Sequence, residues 1–491
     1  MVLYGLLDAL DSSTLPFTIT LILVVIVFCV LFKQNRRKQR EPPVLLNLIP
    51  HLGSALTFGA DPLKFLHNAK ESLGSATFAS YIAGKRMVFF TSPSSWPEIL
   101  RAPPSSLRFD VVGLEVMANA FSVPNSKAKM AQIGVGGKAT HAQFIKYLST
   151  KEHLDNLSSK ARDSLYTTLT ATAATAAATT TTTLPLYGTI FPIIFRATMC
   201  SLFGNDHPLS TSSSFHEDFS TFDDKFPFLA GGAPPIAFKG ATSALARLAS
   251  TLTYKTAPKD ASGIMKARHE LFSTFDMSDK ERSYCQVVMV WAAVANTIPA
   301  CAWTILYILK NAEAKAAVEK EVRGIASGAG DYDVTKFDEM PILTSCVTET
   351  LRLTSASLTV REVGSGGFQM KDGTKLREGD RVAIYPPILH FDNSVFEDSK
   401  TFRYDRFIKS PELASKVMPF GGGISRCPGR FFAQREVKAF VCAVFSACTI
   451  DLADPSTPFP NFDPNRVGLG INQIKPGEDV QIKIRPTNKQ N

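Results

Sequence analysis

The first apolar run of the chain lies near its start. Residues Leu15 to Phe32 carry no charge and are followed by five Lys or Arg residues between positions 33 and 40. A cleaved signal peptide has its positive charge before the apolar core, whereas here only Asp8 and Asp11 precede it. The run therefore predicts a transmembrane anchor, and the positive-inside rule places everything after it in the cytosol.

A second apolar segment, Val287 to Leu309, is also uncharged and long enough to span a bilayer. Its middle carries Asn296, Thr297 and Pro299, and polar groups facing lipid would be costly. The hydropathy alone leaves two interpretations open: a second membrane span, or a long helix through a core. In either case Pro299 lacks the N–H that would bond the carbonyl of Ala295, which predicts a helix that opens beside Asn296.

The remaining pattern predicts a mainly helical domain with a small β region. It favours a strand at Arg86–Thr91, a helix at Pro341–Leu353, short strands over 358–386 and a helix at Arg430–Phe445. The Thr/Ala-rich run Thr167–Thr183 has no distinct apolar face. Part of it can extend a helix, whereas the five threonines that end at Thr183 predict an exposed loop, and we assign the run no function. No linker divides the chain after the anchor. The predicted organisation is an anchor with its basic flank over residues 1–40 and one large domain over residues 41–491.

Composition and charge exclude several classes of protein. Of 491 residues, 45% are hydrophobic and 20% are charged, which is typical of a globular chain. A formal charge of +9 without a basic block interleaved with aromatic residues argues against a nucleic-acid partner, and favours membrane lipid or an acidic protein. The eight cysteines form no close C-x-x-C pair, which indicates a reduced compartment and excludes a disulfide framework or a common zinc motif.

One short loop concentrates the candidate chemistry. Residues 420–429 read FGGGISRCPG and lead directly into the predicted helix that begins at Arg430. Three glycines allow a close approach of the backbone, and Cys427 precedes a helix N-terminus whose dipole favours a thiolate. A thiolate held by backbone donors and covered on one side by Phe420 is suited to ligating haem iron.

This loop resembles the signature of the cytochrome P-450 superfamily, F-x-x-G-x-x-x-C-x-G, with Phe420, Gly423, Cys427 and Gly429 in register. The resemblance implies a single P-450 fold behind an N-terminal transmembrane helix. It also implies haem b with Cys427 as the axial ligand of the metal. Phe420, Gly423, Arg426 and Gly429 would contact the cofactor.

Further motifs follow in the order of the family. Glu349 and Arg352 lie three apart on one helical face, and the family's third partner of this structural network corresponds to Arg406. Arg361 matches the arginine that meets a haem propionate. Two departures are that Ser425 replaces a basic residue and that no W-x-x-x-R motif occurs near residues 140–150, where Lys146 is a weak substitute.

Asn296 and Thr297 stand where the family places an acid and a threonine that help deliver protons during oxygen activation. The resemblance thus makes them the catalytic candidates, although an amide does not exchange a proton as Asp does. The segments 295–300 and 351–358 are similar to those of the sterol 7-alpha-hydroxylase, sterol 12-alpha-hydroxylase and prostacyclin synthase group. The resemblance is faint between about residues 110 and 280.

The resemblance implies a monooxygenase that oxidises a lipophilic sterol or terpenoid at the endoplasmic reticulum membrane. With no nucleotide-binding motif in the chain, electrons would come from NADPH-cytochrome P-450 reductase, with cytochrome b5 as an optional second donor. We expect this acidic partner to dock near Arg426, Arg430 and Lys438. The alternatives are a reductase-independent isomerase or dehydratase of a lipid peroxide, which Asn296 suggests, and a haem-binding protein without catalysis.

Overall fold

The computed structural model describes residues 40–45, 53–123, 138–178, 183–252, 259–466 and 468–487. The predicted anchor at Leu15–Phe32 lies outside these residues. The α-helices, in chain order, are α1 Gly53–Ala60, α2 Pro62–Leu73, α3 Trp96–Arg101, α4 Asp110–Phe121, α5 Lys138–Ser149, α6 Lys151–Ala178, α7 Leu186–Phe203, α8 Pro208–Thr211, α9 Ser214–Asp223, α10 Phe226–Ala230, α11 Lys239–Ser250, α12 Gly263–Ser273, α13 Asp279–Val294, α14 Thr297–Leu309, α15 Ala312–Ile325, α16 Pro341–Thr354, α17 Pro387–His390, α18 Arg406–Lys409 and α19 Arg430–Ala447.

The strands are short and belong to small sheets. They are β1 Thr77–Ile82, β2 Lys85–Phe90, β3 Leu107–Arg108, β4 Leu184–Pro185, β5 Ala326–Gly328, β6 Asp331–Tyr332, β7 Thr359–Val363, β8 Phe368–Gln369, β9 Lys375–Leu376, β10 Arg381–Ile384, β11 Cys448–Leu452 and β12 Gln481–Pro486. The largest sheet has the order β1-β2-β10-β7-β3, antiparallel except for the parallel pair β2 and β10. The described chain is thus mainly helical with a small β region, as the sequence predicts.

The second apolar segment is a core element. Val287, Val290, Cys301 and Leu306 are fully buried, and α14 packs against α7, α16 and α19. Within the described residues two helical stretches are long and apolar enough to cross a membrane, Leu186–Phe203 and Asp279–Leu309, and each is mostly enclosed by protein. The core interpretation therefore holds for the segment that ends at Leu309.

The predicted opening of this helix is also present. Helix α13 ends at Val294, α14 begins at Thr297, and Asn296 has φ −105° between them. The missing N–H of Pro299 deprives the carbonyl of Ala295 of its partner, and the chain resumes with a bond from Ala300 N–H to Asn296 C=O at 3.1 Å. The break places the buried Thr297 and the half-buried Asn296 beside an otherwise apolar core.

The prediction that the Thr/Ala-rich run has no apolar face was wrong, whereas the extension of a helix into the run is confirmed. Helix α6 continues to Ala178, and it has an apolar face on which Leu165, Leu169 and Ala173 are buried. Its hydroxyl groups are satisfied locally; Thr168 and Thr172, for example, donate to carbonyls four residues earlier. Residues 179–182, where the loop was expected, lie outside the described residues, and β4 follows at Leu184.

Candidate active site

The cysteine loop, residues 420–429, packs against α3. Gly423 has φ +66°, and a Cβ atom there would lie 2.1 Å from the carbonyl oxygen of Leu100. Within the loop, Cys427 N–H donates to Phe420 C=O at 3.0 Å, and Arg426 N–H donates to Gly423 C=O at 3.2 Å. The glycines thus bring the backbone of the loop against the protein itself, which fixes the position of Cys427 from two sides.

Cys427 differs from the other described cysteines. Of the seven described cysteines, only Cys427 is exposed. Burial by the surrounding protein nevertheless raises the pKa of its thiol, while backbone hydrogen bonds from Gly429 and Arg430 and the charges of Arg430 and Arg426 lower it. Cys427 is thus surrounded by protein atoms and still accessible, as a side chain at the wall of an internal opening is. The hydrogen-bond donors and positive charges around it favour the thiolate form.

Arg361 is a buried cation beside the same loop. It is 4% exposed on β7, donates to Val360 C=O at 2.9 Å and Gly422 C=O at 3.3 Å, and lies over the ring of Phe109. Burial lowers the pKa of its guanidinium to about 10. Among the described residues no carboxylate pairs with it, so the site holds a buried positive charge that calls for an acidic group.

The predicted ion network is present and entirely buried. Arg352 binds both carboxylate oxygens of Glu349 at 2.8 Å, and Arg406 Nε donates to Glu349 Oε1 at 2.9 Å. The remaining Nη1 of Arg352 donates to the carbonyls of His390 and Ser399. Because every charge is paired and further hydrogen-bonded, the network holds α16 to the turn-rich stretch that leads to the cysteine loop.

The helix break positions Asn296 and Thr297. Thr297 Oγ1 donates to Ala293 C=O at 2.7 Å, which satisfies a carbonyl at the opening. Asn296 Oδ1 accepts from Ile471 N–H at 2.9 Å, so its amide is held by the C-terminal part of the chain. The helix break therefore offers two polar groups. Thr297 Oγ1 can accept a hydrogen bond, and Asn296 Nδ2 can donate one.

Comparison with known proteins agrees with this site. The cytochrome P-450 family model matches residues 257–477, which contain the helix break, the ion network and the cysteine loop. Cholesterol 7-alpha-monooxygenase of Cricetulus griseus is 29% identical over 95% of this chain and 99% of its own length.

The chain belongs to the cytochrome P-450 superfamily. Its similarity to sterol hydroxylases of this superfamily extends over nearly the whole chain. The 5-beta-cholestane-3-alpha,7-alpha-diol 12-alpha-hydroxylase of Sus scrofa is 27% identical over 96% of this chain and 98% of its own length. The 7-alpha-hydroxycholest-4-en-3-one 12-alpha-hydroxylase of Homo sapiens is 28% identical over 94% of this chain and 97% of its own length. The protein is thus a cytochrome P-450 oxidoreductase, and the cofactor of this family is a haem with a cysteine thiolate on the iron.

The residues present fit that cofactor. An exposed sulfur surrounded by donors suits the iron, and a buried arginine without an acidic partner among the described residues suits a propionate. Phe420 is half-buried next to the loop, Arg426 is exposed, and Gly429 begins the turn into α19. Lys146 is exposed on α5 with its Nζ 5.0 Å from the ring centre of Tyr147, and nothing in the described structure directs it to a propionate.

The expectation that Lys438 belongs to a docking face was wrong. Lys438 is 6% exposed, its Nζ donates to Phe337 C=O at 2.6 Å, and burial lowers the pKa of its ammonium. The error arises because α19 is buried on most of its circumference and not on one face only. Helical periodicity therefore does not show which of its charged residues is accessible. Arg426 and Arg430 remain on the accessible side.

Sequence reasoning missed a second buried cluster, centred on Asp223 at the end of α9. Its carboxylate accepts from Trp291 Nε1 at 2.8 Å, from Gln473 Nε2 at 3.0 Å, and pairs with Arg466 at 3.0 Å. Asp223 and Arg466 are both nearly inaccessible. Since these partners lie far apart in the chain and form no motif, only the tertiary structure brings them together.

Proposed function

We propose that the protein is a membrane-bound haem-thiolate monooxygenase that hydroxylates or otherwise oxidises a lipophilic substrate, such as a sterol or terpenoid. The observation that carries this proposal is the pairing of one exposed cysteine on a donor-rich loop with the buried, acid-free Arg361 beside it. Three relatives similar over nearly their whole length are named for hydroxylation of sterols. The haem, once bound, supplies the activation of dioxygen.

The protein's own residues hold and shape the site. Cys427 is proposed to ligate the iron, with Arg361 meeting a propionate and Phe420, Gly423, Arg426 and Gly429 lining the cofactor on the thiolate side. The buried network of Glu349, Arg352 and Arg406 keeps the supporting turns in place. Asn296 and Thr297 are the proposed catalytic residues, offering an amide donor and a hydroxyl oxygen at the break between α13 and α14.

The surface supports association with lipid. Helix α10 exposes Phe228 at 43%, and the stretch between α10 and α11 exposes Ile236 at 75%. The ring of Phe228 stacks on that of Phe238. Such an apolar projection fits contact with a bilayer in addition to the proposed anchor at Leu15–Phe32. We infer a single-pass protein of the endoplasmic reticulum with its domain, residues 41–491, in the cytosol.

Electrons are proposed to come from NADPH-cytochrome P-450 reductase, with cytochrome b5 as an optional second donor. Arg426 and Arg430 are accessible next to the proposed ligand, and the neighbouring Ile424 and Phe431 are exposed apolar side chains. Accessible basic side chains next to exposed apolar ones are suited to an acidic protein partner.

The test is the carbon monoxide complex of the reduced, full-length protein. Thiolate ligation gives a red-shifted Soret band, and we expect Cys427→Ser to abolish it. Cys448→Ser, a change at a buried cysteine of β11, should keep the band. Persistence of the band in the Cys427 variant would disprove the ligand assignment.

The second candidate function is isomerisation or dehydration of a lipid peroxide, which an amide at position 296 favours because it orients an oxygen without exchanging a proton. Such an enzyme needs no reductase. For a monooxygenase, incubation with sterols, dioxygen, NADPH and reductase should give an oxygenated product. If the protein instead converts only a lipid hydroperoxide, and does so without NADPH, the isomerase or dehydratase function is correct.

A further inference from the structure

The amide of Asn296 has a defined orientation. The atom that faces the backbone N–H of Ile471, at 2.9 Å, has to be an acceptor, because the reverse orientation would oppose two donors. Oδ1 therefore points toward Ile471 and Nδ2 points away from it. Nδ2 donates to no protein group among the described residues. It does not belong to the buried polar atoms that lack a partner, so it is not closed off by the protein.

The contact depends on a glycine. Gly470 has φ +111°, and a Cβ atom there would lie 2.1 Å from Asn296 Oδ1. Only a residue without a side chain lets the amide reach Ile471. The side chain of Asn296 is thus enclosed on its oxygen side by the backbone of Gly470 and Ile471.

The segment 468–473 is itself held from several directions. Asn472 N–H donates to Thr354 C=O at 2.8 Å, and Asn472 C=O accepts from Trp303 Nε1 at 2.7 Å. Gln473 Nε2 donates to Asp223 at 3.0 Å, which ties the segment to α9. With α9, α14 and α16 all attached, the segment is a rigid support for Asn296 and not a free loop.

We propose that segment 468–473 is a positioning element that commits Asn296 to act as a hydrogen-bond donor, so that this residue binds an acceptor oxygen in the active site. The proposal rests on the proposed function, since it assumes that the break between α13 and α14 faces the reaction chamber. The oxygen belongs either to the substrate or to a small ligand of the haem. Gly470 and Ile471 are positioning residues that act through Asn296.

An aspartate at this position would behave differently. Its carboxylate would still accept from Ile471 N–H, but its second oxygen would also be an acceptor and would repel the oxygen that the amide attracts. Asn296→Asp therefore keeps the contact to Ile471 and removes the donor, whereas Asn296→Ala removes both. Gly470→Ala keeps the amide but displaces it.

Gly468→Ala is the matched control. Gly468 also has a positive φ, +86°, but a Cβ atom there meets only Leu358 Cβ at 3.6 Å, an ordinary contact. Both alanine variants carry similar backbone strain, and only Gly470→Ala disturbs Asn296. Any difference between them reports on the amide.

The first measurement is amide hydrogen exchange at Ile471 in the full-length protein. Exchange should become at least about tenfold faster in Asn296→Ala and Gly470→Ala, and should change little in Asn296→Asp and Gly468→Ala. Unchanged exchange in Asn296→Ala would overturn the positioning role. This readout does not need thiolate ligation, so it stays informative if the proposed function fails the carbon monoxide test.

The second measurement locates the acceptor oxygen. The C–O stretching frequency of the carbon monoxide complex reports a donor near a haem ligand, and spectral titration with cholest-4-en-3-one and cholest-4-ene reports a donor to a substrate carbonyl. We expect Asn296→Asp either to raise the stretching frequency or to remove an at least tenfold preference for the ketone. The first result identifies a haem ligand and the second a substrate oxygen. If neither quantity changes, the donor role is wrong.

Discussion

At the scale of single residues, Glu436 on α19 is a carboxyl in an unusual environment. It is 4% exposed, and its Oε1 lies 2.8 Å from Thr198 Oγ1, which also lies 2.9 Å from Ile194 C=O. One hydroxyl proton serves only one of these acceptors, whereas a protonated Glu436 donates to Thr198 and leaves the Thr198 proton for Ile194. Burial raises the pKa of Glu436 to about 8, in agreement with a neutral carboxyl.

This environment predicts a pH-dependent effect of Glu436→Gln. The folded protein binds this proton more tightly than the unfolded chain, so the contribution of Glu436 to stability is complete below the ordinary glutamate pKa and is lost as pH rises toward 8. Glutamine does not titrate. The free energy of unfolding of the variant minus that of the wild type should therefore rise between about pH 5 and pH 8, by about 3–4 kcal/mol, and then level off.

Denaturant unfolding across this pH range measures the difference. Glu152→Gln, at an exposed position near the start of α6, controls for the loss of one charge. Parallel curves for wild type and Glu436→Gln would show that Glu436 is ionised throughout.

Several of the residues that the sequence identified belong to short motifs. The spacing within residues 420–429 and the pair Glu349 and Arg352 depend on neighbours in the chain, and the structure places them as that spacing requires. Asp223 and Gln473 could not be predicted, because their partnership depends on how distant segments pack. The same holds for Gly470, whose role is visible only beside Asn296.

At the scale of elements, α6 shows how small residues make a core helix. Ala173 is fully buried, and α6 packs against α7 and α19. A composition of Ala and Thr conceals this face, because only contact with other helices decides which alanine is inside. The sequence predicted α16 and α19 well for the opposite reason, since their large apolar residues mark the buried positions.

The packing of α6 predicts a sharp contrast between neighbouring alanines. Ala173→Leu should destabilise the protein by about 1–3 kcal/mol, because extra methylenes have no space at a closed helix interface. Ala174→Leu, at the next position but exposed, should change stability by less than about 0.5 kcal/mol. Thermal unfolding of both variants checks this, and equal melting temperatures would mean that the interface at Ala173 is loose.

At the scale of the whole molecule, two of the positive charges of the sequence lie close together beside the proposed haem ligand. Arg430 lies with its guanidinium 4.2 Å from the ring centre of Phe431 and donates to Cys427 C=O, while Arg426 is exposed nearby. Net charge alone did not separate these arginines from the buried Lys438. Their position beside the proposed ligand concentrates positive charge where an electron donor would bind.

Reversal of both arginines tests that surface. Arg426→Glu with Arg430→Glu should slow reduction of the haem by NADPH and reductase at least about tenfold at low salt, with a smaller effect at high salt. Arg323→Glu, an exposed arginine on α15, is the control. Stopped-flow reduction measures the rate, and the carbon monoxide spectrum verifies that the haem is retained. An unchanged rate would remove both arginines from the docking surface.

The contact of Gly423 with the carbonyl of Leu100 also bears on how the protein matures. The two residues are separated by most of the chain, and contacts between such distant segments form late because a large loop must close first. The cysteine loop therefore obtains its final shape only after α3 has docked, even though its whole motif is contained in ten consecutive residues. A fragment that retains the motif but lacks α3 would therefore lack the contact with Leu100 that holds Gly423 in place.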